Sequence, residues 1–406
     1  MTVEHRPETA ASRPPDGLDS RRAWLVAASA FLSTFTVFGV TYSFGAFFKP
    51  MADEFGTDRS TTALFFSITT FLYFAIGVVT GKVADLRGPR PVLLVGAVCM
   101  VAGMVATSRV DSIELGFVTY GLGVGIGVAC AYVPMVSSVG AWFERRRTTA
   151  LGVAVAGIGV GTLVVAPLAE SLISRYGWRR SYVILAVGVA VLLAVASVGA
   201  HRPERAAQTA PAQDLSGVLR TSRPFWILYG SMFLLSATLF VPFVFLDDYL
   251  ETEAIGGSAG WLVGLIGMSS VAGRLLLGRL AARWSSLRLY RTCIAVNGVS
   301  FLIWVLVGHS YMALLVFAVV MGVSYGGFIA LAPAVAAELF GTIGLGAILG
   351  ALYTSAGIGG LIGPPLMGRL IDAYDYTPTL VIAMALALVA SAALLPLERR
   401  AAATRA

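Results

Sequence analysis

Arg274 is the residue whose type and setting most directly point to chemistry. It lies within the apolar run Gly264–Gly278, and a guanidinium offers a planar, two-pronged match to a carboxylate. A charge at the centre of an apolar helix costs roughly 2.5–3.5 kcal/mol on insertion scales, which favours a residue that faces an internal cavity. The alternative is snorkelling. Arg279 follows five residues later, and at about 1.5 Å per residue an interface marked by it is within reach. Ser270 and Gly278 share a face with Arg274 at i−4 and i+4, so that face is small and polar, as a cavity wall should be.

Other polar side chains sit inside apolar runs. Tyr42, Tyr120, Tyr132, Asn297, Tyr325 and Tyr353 either line a cavity with Arg274 or pack between helices. Glu170, Asp247 and Asp248 fall near the ends of such runs, as proton acceptors or as interfacial residues. In the turn Gly81–Arg90, Asp85 can pair with Arg87, Arg90 or a helix end, a pairing able to latch one side of a gate. The three histidines, His5, His201 and His309, all lie in tails or loops, and no nucleophile–base pair is visible, so an enzyme is not expected and no cofactor is implied. Cys99, Cys130 and Cys293 are odd in number and lack metal-ligand spacing, so no metal site is expected and they read as small core residues.

The elements that must position these groups are set by composition. Of 406 residues, 57% are hydrophobic and 13% charged, with a mean hydropathy of +0.82. Soluble domains carry about 25% charged residues, so this chain lacks the polar surface for water and belongs in a lipid bilayer. Twelve runs are long enough to cross a bilayer core of about 30 Å: 24–48, 60–81, 91–108, 112–136, 149–173, 181–200, 224–246, 259–281, 289–308, 311–337, 343–371 and 377–397. The first 23 residues carry no cleavable-signal signature, and the run that follows is too long for a signal-peptide core. Of the 29 Lys and Arg, 21 fall in the tails and even-numbered loops and 7 on the other side, Arg274 being the remaining one. This asymmetry places both termini in the cytoplasm of a multi-pass cell-membrane protein. The cluster Arg175, Arg179 and Arg180 dissents. The net charge of +7 comes in short clusters with no basic, aromatic-interleaved groove, so nucleic acid is not an expected partner.

The longest interruption, 201–223, divides the chain into a cytoplasmic tail 1–23, a six-helix bundle 24–200, a cytoplasmic loop 201–223, a second six-helix bundle 224–397 and a tail 398–406. The halves repeat. Gly159, Gly161, Leu163, Pro167, Leu168, Leu172, Ile173 and Tyr176 recur 198 residues later as Gly357, Gly359, Leu361, Pro365, Leu366, Leu370, Ile371 and Tyr374. Gly81-Lys-Val-Ala-Asp85 recurs in weakened form as Gly278-Arg-Leu-Ala-Ala282. A parallel repeat of this size in an all-helical membrane chain fits two bundles that rock about a midplane site.

The Gly81–Arg90 turn resembles the loop 2–3 signature of the major facilitator superfamily. Trp142–Arg147, Ala156–Gly161, Gly177–Tyr182 and Gly363–Asp372 extend the resemblance to its monocarboxylate transporter branch, bacterial members included, over nearly the whole chain from Trp24 to about residue 397. The resemblance implies a twelve-helix fold and a transporter of small monocarboxylates such as lactate or pyruvate, working by rocker-switch alternating access. It also implies that Arg274 grips the substrate carboxylate. Proton symport is expected, because an anion moving against a negative membrane potential is opposed by about 2.3 kcal/mol per charge per 100 mV. Two departures bear on the coupling: Ser270 stands where animal members carry an aspartate, and Tyr42 takes the place of a first-helix lysine. The chain is expected to work as a monomer with protons and lipid as its other partners. Efflux of drugs or amphipathic metabolites is the alternative, and the fifth run lacks the Gly-Pro plus Gly-Gly pattern associated with drug antiporters.

Overall fold

A computed structural model describes residues 18–201, 222–281, 283–306, 310–341 and 345–403. Most of the tail expected at 1–23, nearly all of the loop at 201–223, Ala282 of the weakened repeat and the last three residues lie outside the described residues. The described chain is helical. We number the membrane-crossing helices α1 (Arg21–Phe55), α2 (Arg59–Arg87), α3 (Pro89–Thr107), α4 (Ile113–Trp142), α7 (Arg223–Thr252), α8 (Ala259–Leu280), α9 (Ser286–Leu306), α10 (Tyr311–Phe340), α11 (Leu345–Tyr374) and α12 (Tyr376–Arg399), with α5 and α6 the two limbs of Arg147–Val198. That last stretch has 52 residues. At about 1.5 Å per residue it would be more than twice as long as a bilayer core is thick. Gly177 divides it: with φ 74° and ψ 161° it leaves the helical region, so 147–176 and 178–198 are separate passes. Twelve crossings result among the described residues, an even number that sets the start of α1 and the end of α12 on one face, here called the terminal face, opposite a distal face.

Polar caps start the helices at the water boundary. Ser20 accepts from Ala23 N–H, Asp58 from Thr61 N–H and Ser310 from Ala313 N–H, each satisfying a donor that the helix leaves open. Asp58 lies between α1 and α2, and the hydroxyl and N–H of Thr61 hold its carboxyl below the ordinary carboxylate range. The helix sides obey a different solvent. On α6, Val183, Val187, Val191 and Val195 form a fully apolar stripe at four-residue spacing, and all four are exposed, as a lipid-facing surface requires.

Packing inside each bundle follows the repeat. The first helix of each bundle lies against the fifth, the second and third against the fourth: α1 on α5, α2 and α3 on α4, and correspondingly α7 on α11, α8 and α9 on α10. Across the bundles, α5 meets α8 and α11 meets α2. The repeated glycines do the same work in both halves. A Cβ on Gly161 would stand 2.2 Å from the Phe35 carbonyl oxygen of α1, and one on Gly359 would stand 2.6 Å from that of Phe233 on α7. Two residues earlier, Gly159 faces the Gly267 carbonyl of α8, and Gly357 faces Phe74 of α2. One glycine therefore closes the bundle and its neighbour lets the opposite bundle approach.

Overpacking a closed helix contact typically costs about 1–3 kcal/mol. Gly161→Ala and Gly363→Ala, whose methyl groups would meet the Phe35 and Ala237 carbonyl oxygens at 2.2 and 2.1 Å, should each lower the thermal unfolding midpoint in detergent by several degrees. Gly188→Ala, with nothing within 4 Å of its Cβ, should leave the midpoint unchanged or raise it.

Candidate functional site

The site is built around α8. Gly273 packs so closely on α10 that a Cβ would lie 2.1 Å from the Val323 carbonyl oxygen, which fixes the rotation of the helix. Arg274 then points toward the other bundle. Its Nη1 donates to the Val155 carbonyl of α5 at 2.8 Å, while Nε and Nη2 are buried and without a hydrogen-bond partner. Those two nitrogens form one edge of the guanidinium, the edge that meets a carboxylate side-on. Arg274 thus turns inward between the bundles and does not snorkel to the terminal face.

Tyrosines surround it. The Arg274 charge reaches Tyr42 of α1, Tyr132 of α4 and Tyr325 of α10. The Tyr42 and Tyr325 hydroxyls are hydrogen-bonded to each other at 2.9 Å across the two bundles, and the Tyr42 ring tilts against Phe243 of α7 at 4.4 Å. Phe38 lies edge-on to Tyr73 and Tyr132, and Phe74 tilts against Tyr353 of α11 at 6.0 Å. Among the described residues, the Arg274 cation is thus set in an aromatic, hydroxyl-bearing wall to which both bundles contribute.

The distal ends of the bundles are tied together. Arg59, at the start of α2, holds Asp248 of α7 at 2.6 Å and Asp372 of α11 at 2.9 Å. The Tyr376 hydroxyl donates to the same Asp248 carboxylate. Lys49 of α1 pairs with Glu251 of α7 at 2.7 Å. Glu170 of α5 accepts from the Ser258 hydroxyl and from the Gly260 N–H at the start of α8, where the helix dipole favours an anion. Beside these contacts a cavity of about 480 Å³ is lined by Pro50, Glu170, Ser174, Asp247, Glu251 and Ser258. A narrower one below it reaches Tyr42 past Ser43, Glu170 and Asp247.

A family profile described as the Major Facilitator Superfamily matches residues 30–287 and 232–406. The chain belongs to the Major Facilitator Superfamily. Similar proteins include monocarboxylate transporter 13 of Rattus norvegicus, 30% identical over 396 residues, which span 95% of this chain and 90% of that protein. Monocarboxylate transporter 11 of Homo sapiens is 30% identical over 409 residues, 95% of this chain and 85% of its own. Monocarboxylate transporter 4 of Mus musculus is 30% identical over 402 residues, 94% and 84% of the two chains. The molecule is a multi-pass membrane transporter and not an enzyme.

Within this transporter the residues expected at the site separate into groups. Arg274, Tyr42, Tyr132 and Tyr325 come together, with Tyr353 joined to them through Phe74. Three do not. The Ser270 hydroxyl donates to the Gly267 carbonyl at 2.7 Å, and its own carbonyl lies in the notch at Gly326 of α10, so it packs the bundle and does not face the cleft. Tyr120 packs tilted against Phe44 and Tyr182 and edge-on to Phe65 inside the first bundle. Asn297 is buried between α9 and α10, its side-chain amide 3.4 Å from the Ser324 hydroxyl. The acids separate too: Asp248 is engaged by Arg59 and Tyr376, Glu170 by the start of α8, and Asp247 lines both distal cavities. Asp85, Arg87 and Arg90 are exposed on the terminal face, around Gly88 at φ 85°. Sequence reading passes over Tyr73, Phe38 and Phe243, because an aromatic in an apolar run carries no mark of facing a cleft, and it passes over Arg59. The dissenting Arg179 has a local partner: it pairs with Glu54 at 2.7 Å, donates to the Ser108 carbonyl and stacks on Trp178.

Arg59 and Asp248 form a partly buried ion pair, and removing one partner leaves the other charge behind. Arg59→Ala should therefore loosen the distal closure. In a protein lacking Cys99, Cys130 and Cys293, a cysteine at Leu246, which is buried below the latch, should react with a membrane-impermeant maleimide at least severalfold faster when Arg59 is replaced. Equal rates would mean that Arg59 does not hold this face shut.

Proposed function

We propose that the protein is a secondary active transporter of small organic monocarboxylates, lactate- or pyruvate-like, coupled to protons and working by rocker-switch alternating access. The unpartnered Nε–Nη2 edge of Arg274, buried between the bundles, carries this reading. One buried cation balances one carboxylate, and the resulting near-neutral pair crosses an occluded state more readily than either charge alone. Tyr42, Tyr132, Tyr325 and Tyr353 would flank the bound acid; Ser270, Tyr120 and Asn297 would support helix packing. The names of the similar transporters favour the same substrate class.

The cycle needs two closures. The contacts of Arg59, Lys49 and Glu170 would close the distal face while substrate exchanges with the terminal face, and Asp85, Arg87 and Arg90 would latch the terminal face in the opposite state. With both termini cytoplasmic in the cell membrane, the distal face is external, and the chain would function as a monomer. A co-transported proton cancels the charge of the anion. Of the three acids proposed to take it, Asp247 is the one facing the distal cavities without an ion pair or hydrogen bond among the described residues, whereas Glu170 and Asp248 are occupied as latch groups.

Two charge-assisted hydrogen bonds at about 1.5–3 kcal/mol each correspond to a loss of at least about 100-fold. In proteoliposomes offered a panel of labelled monocarboxylates, Arg274→Ala should reduce uptake by that factor, and an inward proton gradient should accelerate wild-type uptake. Uptake that survives Arg274→Ala, or wild-type transport of a hydrophobic cation in place of any acid, would overturn the carboxylate reading. Carboxylate uptake indifferent to the gradient would overturn symport alone.

A further inference from the structure

Arg274 carries a cation whose buried edge meets no counter-charge among the described residues. Its one hydrogen bond among the described residues runs from Nη1 to the Val155 carbonyl, while Nε and Nη2 are buried donors without a partner there. The ion pairs of the described residues lie at helix ends, and none involves Arg274. Four residues earlier on the helix, Ser270 offers a hydroxyl already bonded to Gly267, not a carboxylate. A buried charge lacking its partner is unfavourable, and each unsatisfied buried donor adds to that cost. A protein that keeps such a group through its cycle must draw the compensating charge from the medium whenever substrate is not bound.

We propose that between substrate turnovers the carrier binds a planar inorganic monoanion, nitrate or bicarbonate, on the Nε–Nη2 edge of Arg274. The inference rests on the reading of Arg274 as the anchor for a carboxylate and extends it to a second class of ligand. Both ions are trigonal and present two oxygens along one edge, as a carboxylate does, so both match the fork. A halide meets a two-pronged edge with a single centre. Sulfate brings a second negative charge to a site holding one cation. The inorganic ion therefore competes with the organic acid for the same two donors, and its release precedes loading.

The test uses purified full-length protein and proteoliposomes. The thermal unfolding midpoint is measured in sodium nitrate and in sodium sulfate at equal ionic strength, and carboxylate uptake is measured with nitrate on the same side. Nitrate should raise the wild-type midpoint saturably above that in sulfate. It should also raise the KM for the acid severalfold at unchanged maximal rate, and bicarbonate at fixed pH should do the same. Arg274→Gln should abolish the thermal response. Arg274→Lys, which keeps the charge and loses the fork, should weaken nitrate binding at least about tenfold and decides the matter if the glutamine variant does not fold. A protein that transports carboxylates but responds to nitrate no more than to sulfate, or whose nitrate response survives both substitutions, overturns the inference. An Arg274-dependent nitrate response in a protein that transports none of the acids upholds it and overturns the carboxylate reading instead.

Discussion

A positive charge in a low-dielectric interior must be answered, and here the answer is not among the described residues. The close contact of Gly273 with α10 sets the face that α8 turns toward the opposite bundle, and Arg274 is carried on that face. The Val155 carbonyl takes one of its donors and so fixes which edge of the guanidinium remains. The tyrosines around it offer hydroxyls and ring faces but no formal charge. The chemistry of the cleft therefore reduces to one charged edge within an otherwise neutral, adaptable wall. On the proposed function, specificity for charge would reside in the edge and specificity for shape in the rings.

The two bundles meet through contacts of two kinds. Along α5–α8 and α2–α11 the contact is steric, made by glycines that admit a neighbouring backbone, and it follows the internal repeat. At the distal ends it is electrostatic and ignores the repeat, since Arg59 has no counterpart in its partners' half of the latch. Steric contacts of this kind allow rolling without a large change in energy, whereas ion pairs are either made or broken. Such a division suits a molecule that must hold one state firmly and still leave it.

Much of this architecture was legible before any coordinates. Twelve apolar runs correspond to twelve crossings, and the separation of the runs 149–173 and 181–200 anticipated the break at Gly177 inside a continuous helical stretch. Arg274 was conspicuous because a charge in an apolar run has few places to go. Orientation was harder to read. Helical periodicity puts Ser270 on the same face as Arg274, but α10 comes close enough at Gly326 to cover it. Tyr120 and Tyr132 looked alike in sequence, and only the rotation of α4 sends one into the bundle and the other to the cleft. Arg59 could not have been found, because its partners lie 189 and 313 residues away and no local pattern links them.

The distal clasp has a built-in bias. Both carboxylates that Arg59 holds, Asp248 and Asp372, belong to the second bundle, and they stand within the width of one guanidinium. In the proposed cycle, a first bundle that swung away with the arginine would leave two like charges as neighbours on the same body. Their mutual repulsion would then oppose the close approach of the two carboxylates for as long as the entrance stayed open. On that reading the returning arginine would relieve the repulsion and draw the entrance shut, like a door hung on a spring.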